Sequence, residues 1–380
     1  MRTLALCLLT TGTLACAGPS AKVYAGAGEW IDSGPADAEA LRDVATLQAP
    51  AIPDASAADA PPSVPPLDAS AGVWTWVDVP GSSCADGTPT GFAINPSPAA
   101  SPGLLLFLEG GGACWDATTC WGPVSTAFYV QTGYDQLAFE TDPQVAAIYL
   151  LDRANPANPF AAMNLVYVPY CTGDVFAGNR VTTLSYLGIG HETHFMGYEN
   201  LGLYLEYVRS TFPGANRVWL AGDSAGGFGA ALNSDHVQRA LPNARVDVLD
   251  DSGQPIEPAP GLWSTWTAAW NVQLPQGCAA CATSVGAFVD EYRTLYPGHR
   301  FGLVSYEYDT VISTFMGLSL PQFQTELYGL AAHVDATWPD ARYFVLPGAS
   351  HVGLLLPTPA LVAWVQAMVT DSPSWASSKP

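Results

Sequence analysis

Val218-Trp-Leu-Ala-Gly222-Asp223-Ser224-Ala225-Gly226-Gly227 runs four apolar residues into a Gly-x-Ser-x-Gly turn and out into small residues. The apolar run at 218–221 reads as a strand covered on both faces, and the residues from Ala225 onward as the start of a helix. Strand and helix must approach closely at such a turn, which is why Gly222 and Gly226 flank the serine. The hydroxyl then stands at a helix N-terminus, whose free amides and dipole favour a developing negative charge. The passage predicts an α/β fold with Ser224 as a candidate nucleophile.

The rest of the chain repeats the pattern on either side. Short, continuously apolar runs at 103–108 (GLLLFL), 165–168, 246–249, 301–306 and 343–346 read as further buried strands. Helical patterns lie between them, at 197–212 with Leu201, Leu205 and Val208 on one face, and at 225–241, 285–295 and 359–369. Strands alternating with helices predict the α/β-hydrolase fold: a mainly parallel central sheet flanked by helices, in one catalytic domain over 72–380.

A serine nucleophile needs a base, and six histidines compete. His351 follows the last expected strand, where this fold delivers its histidine. His191 and His194 form an H-x-x-H with no acid fit for catalysis between them and read as a helix-start or loop feature. His236 is expected to face solvent, and His299 and His333 to lie on turn or helical surfaces. The third member must be a carboxylate between Ser224 and His351 in the chain. Asp309, after the 301–306 strand, is favoured; Asp250 and Asp251 compete, and Asp335 and Asp340 are weaker. At the end of the 103–108 strand, Glu109-Gly110-Gly111-Gly112-Ala113 offers backbone unencumbered by side chains. The amide of Gly112 or Ala113, with that of Ala225, would form an oxyanion hole.

The N-terminal residues carry an export pattern. Arg2 precedes an apolar stretch at 4–14 that is too short to span a bilayer. Cleavage after Ala17 fits a signal peptide at 1–17, and residues 13–16 fit an imperfect lipobox that would anchor the protein to a membrane through lipidated Cys16. The protein is expected to be secreted or held as a bacterial cell-surface or outer-membrane lipoprotein. Residues 18–71, rich in Ala, Pro, Asp and Ser, read as a disordered linker. Beyond Cys7 and Cys16 the cysteines are Cys84, Cys114, Cys120, Cys171, Cys278 and Cys281, an even set that an oxidising compartment would pair. Cys278-Ala-Ala-Cys281 lacks the second ligand pair a structural zinc site needs, so it reads as a disulfide. A net charge of −21, from 13 Lys+Arg against 34 Asp+Glu, argues against a nucleic-acid partner.

Several motifs, in order, resemble the pectin acetylesterase family, which includes the carboxylesterase Notum. Cys84-Ala-Asp-Gly-Thr-Pro is similar to its C-x-D-G-[ST]-P, and Glu109-Gly-Gly-Gly-Ala-Cys114, with Cys120 beyond, to its E-G-G-G-W-C-x5-C. Val168-Pro-Tyr-Cys171-Thr-Gly-Asp174-Val-Phe-Ala-Gly178 is similar to Y-C-x-x-D-x-x-x-G, and Phe195-Met-Gly197 to F-[RM]-G. Gly222 to Gly229, Glu307-Tyr-Asp309 and Ser350-His351 match the serine, acid and histidine blocks. The resemblance runs from about Cys84 to the end. It implies a triad of Ser224, Asp309 and His351, an oxyanion hole from the Gly112, Ala113 and Ala225 amides, and no metal or cofactor. It also implies a Cys114–Cys120 disulfide, with Cys84 and Cys171 as partners. Ala113 departs from the pattern, because the family usually has Trp there to wall the site; Trp115 and Trp121 would compensate, or the pocket would be wider.

The reading that follows is an exported, monomeric serine carboxylesterase removing O-acyl groups, acetyl in the leading version, from a polysaccharide such as pectin. The alternatives are an esterase for longer acyl chains on lipid, protein or polyester, and a non-catalytic surface-binding protein on a hydrolase scaffold.

Overall fold

A computed structural model describes residues 64–380. The expected signal peptide at 1–17, lipidation at Cys16 and the linker up to residue 63 lie outside the described residues. The end of the linker stretch, 64–71, lies on the body: the Leu67 amide donates to Thr211 Oγ1 at 3.0 Å, and Leu67 and Ala69 pack on the core.

The strands are β1 (Thr75–Ser83), β2 (Pro89–Asn95), β3 (Gly103–Leu108), β4 (Asn164–Val168), β5 (Arg180–Tyr186), β6 (Ile189–Phe195), β7 (Arg217–Asp223), β8 (Arg245–Asp251), β9 (Phe301–Tyr306) and β10 (Ala341–Leu346). The helices before β7 are α1 (Ala117–Trp121), α2 (Gln136–Thr141), α3 (Pro143–Ala147) and α4 (Gly197–Thr211). After it come α5 (Ala225–Leu232), α6 (Ser234–Ala240), α7 (Leu262–Trp270), α8 (Gly286–Leu295), α9 (Thr310–Phe315), α10 (Leu320–Thr337) and α11 (Pro359–Val369).

The main sheet has the order β1-β2-β4-β3-β7-β8-β9-β10. All pairings from β4 to β10 are parallel, whereas β1 and β2 join antiparallel. Helices cover both faces, which explains the uninterrupted apolar strands. Along β3, Leu104, Leu106 and Leu108 enter one core while Leu105 and Phe107 enter the other. β7 divides Val218 and Leu220 from Trp219 and Ala221 in the same way.

The structure departs from the sequence reading at three places. The single helix expected at 225–241 is two, α5 and α6, broken at Asn233. Its side-chain amide donates to the Phe176 and Gly229 carbonyls, both at 2.9 Å, tying the end of α5 to the distant Phe176 segment. The break turns His236 inward, not to solvent: its ring stacks on Tyr198 at 4.0 Å, and its Nδ1 is buried without a partner. Burial, then the nearby Arg239 charge, push its pKa down to about 3. Finally, His191 and His194 lie on strand β6 of a β5–β6 hairpin rather than at a helix start or in a loop. Residues three apart on a strand point to opposite faces, and these two have separate neighbours: Trp121 stacks on His191 at 4.4 Å, while His194 meets Ser83 Oγ and Glu192.

Candidate active site

The C-terminal ends of β3, β7, β9 and β10 deliver four functional segments to one edge of the sheet, the usual location of a ligand crevice in such folds. At the end of β7, Ser224 has φ 53° and ψ −117° and caps α5. A non-glycine residue in that region is strained by about 1–3 kcal/mol, so the surroundings must enforce it. A Cβ on Gly226 would strike the Leu108 carbonyl, and one on Gly222 would strike the Gly226 carbonyl. The Ser224 amide, in turn, donates to the Asp251 carbonyl at 2.7 Å.

Asp309 and His351 meet across the loops after β9 and β10. His351 Nδ1 lies 2.7 Å from Asp309 Oδ2, while Asp309 Oδ1 accepts the Val311 and Ile312 amides at 3.0 and 2.9 Å. One oxygen therefore fixes the carboxylate at the start of α9 and leaves the other to the imidazole. Burial alone would lower the His351 pKa, but the Asp309 hydrogen bond and charge, with Asp251 and Asp223, raise it above its ordinary value.

The competing carboxylates do other work. Asp251 accepts the Gly353 and Leu354 amides at 3.1 and 2.7 Å, and Ser252 Oγ accepts the Val352 amide at 3.1 Å, so this segment holds the histidine loop from below. Asp250 accepts the Gly253 amide at 2.9 Å. Asp335 accepts the Tyr343 hydroxyl and Asp340 the Gly298 amide, neither touching the imidazole. Asp223, beside Ser224, accepts the Gly110 amide at 3.2 Å. Burial, then the Asp251 charge, push the Asp223 pKa up to about 7, and burial holds Asp251 at about 6.

The glycine loop after β3 is held at several points. Besides the Gly110 bond, the Phe128 amide donates to the Gly111 carbonyl at 2.8 Å, and Gly112 takes φ +79°. Disulfides join Cys114 to Cys120, Cys84 to Cys171 and Cys278 to Cys281, and they fit an extracellular protein.

Ser224, Gly112, Ala113 and Ala225 all line one pocket with Val175, Phe228, Leu232, Trp263, Trp266, Trp270, Val285, Ile312 and Phe315. Neither Trp115 nor Trp121 is among the lining residues. The tryptophans of α7 close it instead, with Trp115 packed behind Trp266 at 5.7 Å. The centre of a water-sized molecule can move in about 20 Å³ there, and a single water needs about 10–15 Å³ on that measure. Trp263 is fixed by its indole N–H, which donates to the Cys281 carbonyl at 3.1 Å beside the Cys278–Cys281 bridge. The sequence reading missed this wall, although the spacing of 263, 266 and 270 puts the three rings on one helical face. Among the described residues, no group of three or more His, Cys, Asp or Glu could hold a metal ion, and no helix is long and apolar enough to cross a membrane.

The fold, with its strained serine turn, places the molecule in the α/β-hydrolase class. Residues 74–260 match the family model for pectinacetylesterase. Over that stretch, just under half of the chain, the molecule resembles that family. It is 32% identical over 178 residues to the palmitoleoyl-protein carboxylesterases NOTUM of Mus musculus and Homo sapiens, matching 45% of this chain. The chain spans about a third (33–34%) of the length of those curated relatives. A solved structure of the Wnt deacylase Notum from Drosophila shares the fold, with a TM-score of 0.54 at 19% identity, over 73% of this chain and 84% of that one.

Proposed function

We propose that the chain is an exported serine carboxylesterase that removes short O-acyl groups, acetyl foremost, from a carbohydrate such as pectin. Ser224 Oγ attacks the ester carbonyl while His351 takes its proton, and Asp309 holds the imidazole in the required tautomer and stabilises its charged form. The Gly112, Ala113 and Ala225 amides receive the negative charge that develops on the carbonyl oxygen. His351 then protonates the leaving sugar hydroxyl, and water, activated by the same imidazole, releases the acid from Ser224.

The narrow pocket carries the choice of acyl group. Its roughly 20 Å³ suits the methyl of an acetyl ester and resists a long chain. The similar palmitoleoyl-protein carboxylesterases favour a second reading, a long unsaturated acyl group on a protein, which would require α7 to move. Hydrolysis of p-nitrophenyl acetate, butyrate and palmitate, followed by acetylated pectin and xylan, tests both. The acetate is expected to have the highest kcat/KM, and Trp266→Ala to raise butyrate relative to acetate by roughly tenfold, about what one or two methylenes contribute in an apolar pocket. Preference for palmitate in the unmodified protein would reject the short-acyl reading. Export and anchoring through Cys16 are tested by fractionating the expressing cells and by mass analysis of the mature N-terminus.

A further inference from the structure

Glu109 begins the glycine loop, yet its side chain does not line the Ser224 pocket. It is 1% exposed and Asp142 6% exposed, and Gln144 joins the two, its side-chain amide donating to Glu109 Oε1 at 3.3 Å and its backbone amide to Asp142 Oδ1 at 2.8 Å. Among the described residues, no Lys, Arg or His nitrogen forms an ion pair with either carboxyl. Two neighbouring carboxyl groups with no cation paired to them resist both being ionised.

The surrounding donors decide which one keeps the proton. Asp142 Oδ2 accepts the Tyr129 and Tyr134 hydroxyls at 3.1 and 3.0 Å, and its Oδ1 accepts the Gln144 backbone amide at 2.8 Å. Glu109 receives the Tyr170 amide at 2.8 Å and only a long 3.3 Å bond from the Gln144 side chain. Three donors surround Asp142 and fewer surround Glu109, which leaves the proton on Glu109. Burial, then the Asp142 charge, push the Glu109 carboxyl well above its usual range. The tyrosines facing the pair are Tyr129, Tyr134 and Tyr167, each raised chiefly by burial and therefore neutral, and Glu140, Asp152 and Arg153 line the cleft beside Asp142.

We propose that Glu109 and Asp142 hold one proton between them, carried on Glu109, and that this pair positions the loop bearing Gly112 and Ala113. The kinetic consequence rests on the esterase reading above; the proton itself does not. Glu109 ties the end of β3 to the segment after β4, with its amide on the Val168 carbonyl at 3.0 Å and its carboxyl on the Tyr170 amide. Loss of the proton sets two negative charges side by side, forces them apart and withdraws that tie from the first residue of the loop. A cleft of about 590 Å³, lined by Asp142 with Trp74 and Arg153, gives solvent a route to the pair.

The test uses the full-length protein and Glu109→Gln, whose amide can donate to Asp142 and accept from Tyr170 as the protonated acid does. Infrared difference spectra should show a protonated-carboxyl C=O band in the wild type at neutral pH that fades as pH rises and is missing from Glu109→Gln. On an activated acetyl ester, wild-type kcat should fall on the alkaline side with KM unchanged, while Glu109→Gln keeps near wild-type kcat and lacks that fall. Glu109→Ala should lose kcat by up to the order of 10², the scale of one lost oxyanion donor. An infrared band unchanged by Glu109→Gln, or an identical alkaline limb in both proteins, overturns the proposal. Should Glu109→Gln fail to fold, Asp142→Asn supplies the reading: relieved of its neighbour's charge, Glu109 must lose its band at lower pH, and a band lost at the same pH overturns the idea. If no ester is hydrolysed at all, the esterase reading fails while the infrared band still decides the position of the proton.

Discussion

Two glycine-rich turns face each other across the candidate site, at the ends of the adjacent strands β3 and β7, and they are held by different means. The Ser224 turn is locked by backbone sterics: Gly222 and Gly226 touch neighbouring carbonyls, and the serine amide is tied to β8. The Glu109–Ala113 turn shares such limits at Gly110 and Gly112, where a Cβ would meet the Asp223 and Thr126 carbonyls, but adds buried acids, with Asp223 on the Gly110 amide and Glu109 on the Tyr170 amide. Contacts between backbone atoms are indifferent to proton concentration. Bonds to carboxyl groups displaced from their usual range are not. Ser224 should therefore keep its place over a wide pH range, and the loop opposite should be the part that responds.

The largest expected effect tests whether the steric turn carries the chemistry at all. Ser224→Ala should reduce kcat by the order of 10⁶, as in other triad enzymes, with an unchanged circular dichroism spectrum. Retention of even a hundredth of the activity would move the nucleophile elsewhere.

Asp309→Asn should lower kcat by about 10⁴ with little change in KM, because the imidazole loses its orienting charge. Asp251→Asn should lose far less activity and more stability, since Asp251 holds the Gly353 and Leu354 amides rather than the ring. Equal losses of kcat in the two variants would contradict this division of labour.

Gly226→Ala probes the steric turn directly. Its Cβ would meet the Leu108 carbonyl, so thermal unfolding should reveal a loss of about 1–3 kcal/mol, as for overpacking in general. An unchanged Tm would mean that the turn has slack.

The smallest effect belongs to the acid-held turn. The Glu109 carboxyl is raised on folding, so between the unfolded value near 4.3 and the folded value the native state binds more protons than the unfolded chain. Stability from this group is therefore fully present below about pH 4.3 and declines as pH rises toward the folded value. The free-energy gap between wild type and Glu109→Gln should shift against the wild type, by at most about 1.4 kcal/mol per pH unit over that window. Denaturant unfolding of both proteins at pH 5 and pH 8 measures it.

Much of this architecture was legible from local pattern. The runs at 103–108 and 301–306 coincide with β3 and β9, and 359–369 with α11, because buried parallel strands and amphipathic helices declare themselves by periodicity. Ser224, His351 and Asp309 were legible because motif, strand ends and chain order all point to them. Asp250 and Asp251 stayed in competition because sequence cannot say which of two neighbouring loops reaches an imidazole. What escaped depends on contacts between distant segments. Asn233 ties its helix end to Phe176, His236 is half-buried against Tyr198, and Asp142 lies far from Glu109 in the chain. The α7 tryptophans were visible as a helical face, but nothing local showed that the face would be the wall of a pocket.

Ser224 and His351 stand on parts of the sheet with unequal security. β7 lies between β3 and β8, whereas β10 is an edge strand, met on its free side, among the described residues, by a single bridge to Ser378. Edge strands open more readily than central ones. On warming, the histidine should leave its post while the serine and most of the sheet are still in place, so the protein would fall silent before it melts. Residual activity is then the more sensitive thermometer of this molecule, and a sample that looks intact by its secondary structure can already be inert.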